Sequence, residues 1–96
     1  MKKNKLPTIN KKNFPYKLSM IYWEDVVGDS GWAEIPDIKD STTALCCSLG
    51  YIVFSNNKKT VVMSDFIFED NGTIKTGGSY VTIPTINILK IKKIKI

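Results

Sequence analysis

The residues best placed to do chemistry are Trp23-Glu24-Asp25 and, a few positions on, Gly28-Asp29-Ser30-Gly31-Trp32. Two indoles nine residues apart around an acidic, glycine-containing loop can form a stacking platform, with Asp25 or Asp29 accepting hydrogen bonds from a base edge or an amine. The plainer alternative is that one Trp closes the end of a β-structure while the acids solvate the loop. Asp25 and Asp29 lack the Asp-x-Asp-x-Asp-Gly cadence of a calcium loop. Neither Gly72 nor Gly77-Gly78 is followed by Gly-Lys-Ser or Gly-Lys-Thr and a helix, so a phosphate loop is rejected. The chain has no His, which removes Ser-His-Asp and Cys-His catalysis, His-ligated zinc and a pH switch near neutrality. Cys46 and Cys47 are adjacent, so on a strand they point to opposite faces and cannot staple distant segments. They read as structural thiols of a reducing compartment. No catalytic residue, metal site or cofactor is assigned, and the expectation is a protein that is not an enzyme.

Charge is unevenly placed. All 14 basic residues are Lys; residues 1–17 hold six of them and no acid, residues 18–57 hold six acids and one Lys, residues 58–75 balance, and residues 76–96 hold four Lys. Basic ends around an acidic middle suit contact with phosphate, although Lys lacks the bidentate fork that reads bases. The same lysines would also serve to protect sheet edges and keep the chain soluble. The basic start is not followed by an apolar stretch of signal-peptide length, and no run approaches a membrane span, so no membrane association is expected.

The elements that must position these residues follow from periodicity. Residues 1–15 have no pattern and contain Pro7 and Pro15, so they read as a basic N-terminal arm, mobile or docked on a neighbour. From Tyr16 to Trp23 the side chains alternate as in a strand. Residues 26–42 read as a long loop with at most a helical turn over Pro36–Lys39. Thr43–Phe54 is a second strand with both faces at least partly covered, and Lys59–Phe68 a third, joined by a turn at Asn56-Asn57-Lys58. Asp70-Asn71-Gly72 suits a type I′ reversal, and Gly77-Gly78 marks a bend or bulge before a short fourth strand, Ser79–Ile83. Pro84 breaks the ladder, residues 84–87 form a tight turn or one turn of 3-10 helix, and a fifth strand runs over Ile88–Ile91.

Five short antiparallel strands predict an all-β fold, a small SH3-like or Sm-like barrel over residues 16–96 preceded by the basic arm at 1–15. The apolar phase slips at Lys92-Lys93, so Ile94 and Ile96 either fray or pack against another subunit, and a homo-oligomer is expected.

Trp23-Glu24-Asp25, Gly31-Trp32, Ser48-Leu49-Gly50 and Thr82-Ile83-Pro84 together resemble the Trp-x-Asp, Gly-Trp, Ser-x-Gly and Ile-Pro pattern of a widespread group of small uncharacterised bacteriophage proteins. The likeness covers about residues 18 to 92 and omits the arm. It departs from the group at Cys46, where a basic residue is expected before Ser48, which weakens a phosphate contact there. The resemblance implies a phage accessory protein acting in the host bacterial cytoplasm, and such proteins include inhibitors of bacterial immunity that sequester nucleotide signals. On that reading the protein is a non-enzymatic sponge for an anionic nucleotide, with sites at subunit interfaces. Trp23 and Trp32 stack on the base with Asp25 beside them, Ser48 and Thr82 donate hydrogen bonds, and Lys75 or Lys90 meets phosphate. The alternatives are an Sm-like nucleic-acid binder using the Lys-rich ends, or an inhibitor that docks on a host protein.

Overall fold

Alternating large apolar residues give the computed structural model its strands, and the structure describes residues 6–95. The arrangement is mainly β, with five antiparallel strands: β1 (Leu18–Asp25), β2 (Ala44–Ser55), β3 (Lys59–Phe68), β4 (Ile74–Pro84) and β5 (Ile88–Lys93). One short helix, α1 (Ile35–Lys39), lies between β1 and β2, and a 3-10 turn, Thr85–Asn87, joins β4 to β5. The strands form one sheet in the order β4-β3-β2-β1-β5. The expected barrel is met only to this extent, because no ladder between β4 and β5 closes the order among the described residues. The sheet is nevertheless curled. The four chain steps from Pro84 to Ile88 reach at most about 14 Å, whereas four strand spacings across a flat sheet take about 19 Å; a link of three residues between the two edge strands therefore requires curvature.

The concave face carries the core. Ile21, Trp23, Val62 and Ile83 are buried there, with Cys46, Ile52, Val81 and Ile88 packed around them. Register explains the grouping, since Ile21 pairs with Ser48 and Ile91, Trp23 with Cys46 and Ile88, and Val62 with Ile52 and Val81. Below the core a hydroxyl chain ties the β2–β3 turn to the 3-10 turn: Thr60, fully buried, lies 2.8 Å from the Ser55 hydroxyl and 3.0 Å from that of Thr85, which donates to the Asn56 carbonyl at 2.7 Å.

Several details differ from the sequence reading, each for a local reason. β1 starts two residues later, at Leu18, because Tyr16 belongs to an aromatic cluster made with the arm. That arm docks on its own chain: Phe14 is buried, with ring centroids 5.1 Å from Tyr16, 4.8 Å from Tyr51 and 4.5 Å from Phe66. Asn13 clamps it, donating from Nδ2 to the carbonyls of Thr8 and Gly72. Lys2, Lys3, Lys5 and Ile96 lie outside the described residues; Ile94 continues the edge by donating its N–H to Leu18 at 2.9 Å.

The turn at Asp70-Asn71-Gly72 is not type I′. Only Gly72 has positive φ (85°), and its N–H bonds to Glu69 while the Glu69 N–H bonds to Thr73. That pattern is a type I turn followed by a left-handed glycine, the three-residue hairpin solution. β4 is twice as long as expected, because Gly77 and Gly78 stay in the ladder opposite Phe66 and Asp65. The β3–β4 register shifts between Ile67 and Phe68, and a separate backbone distortion falls at Ser79, whose φ is 52° and whose hydroxyl donates to Asp65 at 2.7 Å. This left-handed residue resets the alternation, so Met63 and Phe66 both reach the side occupied by Phe14, and Met63 fills the space above Gly77.

Candidate functional site

Two concavities of opposite charge flank the sheet. The first is formed by residues 26–43. Pro36 opens α1, Asp37 lies in its first turn and Lys39 in its last, an arrangement that suits the helix dipole. The loop is shaped by its acids: Asp25 accepts the Val26 N–H at 2.8 Å, Asp29 accepts the Gly31 N–H at 2.8 Å, and Glu24 accepts the Thr43 hydroxyl at 2.8 Å across the loop base. The result is a hollow of about 420 Å³ lined by Val27, Asp29, Trp32, Asp37, Ile38 and Ser41, with Trp32 fully exposed. No lysine lines it. A flat ring can lie on Trp32, but the two carboxylates favour donors and cations over phosphate.

The second concavity, about 490 Å³, is built from four separate segments: Ile9 of the arm, Tyr16-Lys17-Leu18 at the start of β1, Tyr51 of β2, and Lys93-Ile94-Lys95 at the end of β5. Three lysines and two tyrosines among the lining residues suit an anion that carries a ring. The volume lies within the range of small-molecule sites, about 300–1,000 Å³. Tyr51 is fixed from behind by Phe14 and Phe66, so one wall is held by packing. Sequence reading missed Tyr16, Lys17, Tyr51, Lys93 and Lys95 as a group. Only the excess of Lys at both ends hinted at it.

The residues singled out from the sequence do not gather in one place. Trp23 is buried, and its Nε1–H donates to Ser48 Oγ at 3.0 Å, so the indole and the hydroxyl satisfy each other inside the sheet. Ser48→Ala leaves that N–H without its partner, and we expect a loss of about 1–2 kcal/mol in urea unfolding, with no change in fold by circular dichroism. Asp25 pairs with Ala44 at the end of β1. Trp32 lies on the acidic hollow, and Lys75 lies beside Phe14 and the Asp70-Asn71 turn. Thr82 pairs with Val61 near the β4 edge, and Lys90 pairs with Tyr22 on β5. The Ser-x-Gly motif therefore has a packing role: Ser48 holds Trp23, and Gly50 admits the β3 backbone. Cys46 is half-buried against the core and Cys47 is exposed on the other face, so only the first of the two thiols is inside.

No family model matches the chain, and neither the curated proteins nor the solved structures contain a match. Among the described residues, no three His, Cys, Asp or Glu side chains are grouped to hold a metal ion. No described helix is long and apolar enough to cross a membrane.

Proposed function

We propose that the protein is a non-enzymatic binding module that sequesters an anionic, nucleotide-derived signal in the lysine-lined concavity between the arm, β1 and β5. The observation that carries this reading is the meeting of Lys17, Lys93 and Lys95 with Tyr16 and Tyr51 around one volume of about 490 Å³. Phosphate oxygens meet the ammonium groups and the base or ribose lies against a phenol ring. Capture needs only affinity, which fits a chain without His. The motif resemblance supplies the setting, a phage accessory protein that lowers the level of an immune signal in the host bacterial cytoplasm. The proposed architecture is an SH3-like or Sm-like barrel, supported by the order β4-β3-β2-β1-β5 and by the three-residue 3-10 link between the edge strands.

A second reading, nucleic-acid binding, is favoured by the same lysines, which would continue along a phosphate backbone. A third, inhibition of a host protein, draws on the acidic hollow with its exposed Trp32. Native mass spectrometry separates them. The protein is mixed in turn with cyclic dinucleotides, cyclic trinucleotides, ADP-ribose derivatives and a short single-stranded oligonucleotide. A discrete mass gain with one small nucleotide, lost in Lys17→Ala/Lys93→Ala, supports capture. Retention of the oligonucleotide alone, with a steep salt dependence, supports the second reading. Absence of any gain removes both and leaves the protein inhibitor.

A further inference from the structure

The convex face of β1 and β2 is apolar and open. On β2, Leu45 is 72% exposed and Leu49 54%, with the exposed Cys47 between them. They alternate along one strand, so all three point to the same side, away from Cys46 and the core. Register places Met20 beside Leu49 and Tyr22 beside Cys47 on β1, and the Tyr22 hydroxyl donates to Met20 Sδ at 3.1 Å. The two ends of this stripe carry opposite charge: Glu24 pairs with Leu45, and Lys92 pairs with Met20.

We infer that this face is covered by a second copy of the chain, packed about a twofold axis that crosses β1 and β2 at the Tyr22–Cys47 pair. Two observations argue for a copy of itself. First, the core is thin, with only Phe14, Ile21, Trp23, Val62 and Ile83 as buried apolar side chains among the described residues. Secondly, the stripe is self-complementary. A twofold across the strands at its centre lays the Leu45–Glu24 end of one copy over the Leu49–Lys92 end of the other, so that leucine meets leucine and carboxylate meets ammonium. Lys90 and Lys92 both lie on β5, exposed at the rim of the contact.

The geometry makes a specific demand of Cys47, which lies at the axis. Packed sheets stand about 10 Å apart, beyond the reach of a direct disulfide, whose Cα atoms lie within about 7 Å. A short bis-maleimide spans the gap. The experiment uses the full chain with Cys46→Ala, so that Cys47 is the single thiol, and combines sedimentation velocity over a concentration series with bis-maleimide cross-linking. The expected results are a dimer, cross-linked through Cys47. Leu45→Lys/Leu49→Lys should give a folded monomer by sedimentation and circular dichroism. Glu24→Lys should weaken association at least tenfold, and Glu24→Lys/Lys92→Glu should restore it. A wild-type chain that stays monomeric, or a dimer that survives Leu45→Lys/Leu49→Lys without Cys47 cross-linking, overturns the inference. The first result would leave the face to a different partner. The nucleotide-binding assay is independent of both outcomes, because Lys17, Lys93 and Lys95 lie outside the stripe.

Discussion

Phe14→Ala should cost about 3–4 kcal/mol, the largest effect expected from a single side chain of the arm. Phe14 is 4% exposed and touches three rings from three segments: Tyr16 beside it, Tyr51 on β2 and Phe66 on β3. Removing it empties the centre of that cluster, which the arm cannot refill because Pro15 and the Asn10–Asn13 turn fix its path; the Phe14 N–H itself bonds to the Asn10 carbonyl at 2.9 Å. For a domain of this size each kcal/mol lowers the midpoint by about 4–8 °C, so a fall of well over 10 °C is expected in thermal unfolding. Limited proteolysis should cut the variant near residues 9–13 before the sheet is attacked. A loss below about 1 kcal/mol would mean that the arm contributes little to the fold.

Gly50→Ala is the second large effect, at about 3 kcal/mol, and its cause is the close approach of β3, by a backbone carbonyl and by one side chain. A Cβ at Gly50 would lie 2.8 Å from the Met63 carbonyl oxygen and 2.9 Å from Val62 Cγ1. A ladder carbonyl cannot turn aside without breaking β2 from β3, and Gly50 also faces the fully buried Ser19 on β1. Gly78 provides the control. Nothing lies within 4 Å of its Cβ position and its φ is not positive, so Gly78→Ala should be neutral or slightly stabilising. Urea midpoints for the two variants should therefore move apart. Equal midpoints would show that the close approach at Gly50 is not maintained in solution.

The strands were legible where side chains alternate over several residues, and β3 matched residue for residue at Lys59–Phe68. The 3-10 turn followed from Pro84, and α1 from Pro36. Less legible were features set by one backbone angle or by distant contacts. Nothing in Gly-Gly-Ser says that the serine, and not a glycine, takes the left-handed conformation; a hydroxyl bond to Asp65, fourteen residues away, accompanies it. Phe14 sits in an unpatterned segment, and its burial depends on rings from β2 and β3.

The candidate site shows the same division. Trp23, Ser48 and Gly50 are a recognisable motif, but the bond from Nε1 to Oγ and the close approach of β3 assign them to the interior. Trp32 was identified from its loop and does stand in water, yet the acids that drew attention to the loop also make its hollow a poor place for phosphate. The basic concavity draws residues 9, 16–18, 51 and 93–95 together, and the pairings of β1 with β2 and with β5 bring the strand residues among them into one volume. Charge counting located the lysines at the two ends of the chain. The antiparallel pairing of β1 with β5 is what brings those ends together.

The most direct test is a calorimetric titration of the wild-type chain, Lys17→Ala/Lys93→Ala and Trp32→Ala with whichever nucleotide of the panel gives a mass gain. Each lost charge-assisted contact is worth about 1.5–3 kcal/mol, so the double lysine variant should bind at least about 100-fold more weakly, while Trp32→Ala keeps the wild-type affinity. Loss of binding in Trp32→Ala with full affinity in the lysine variant would contradict the account and move the site to the acidic loop.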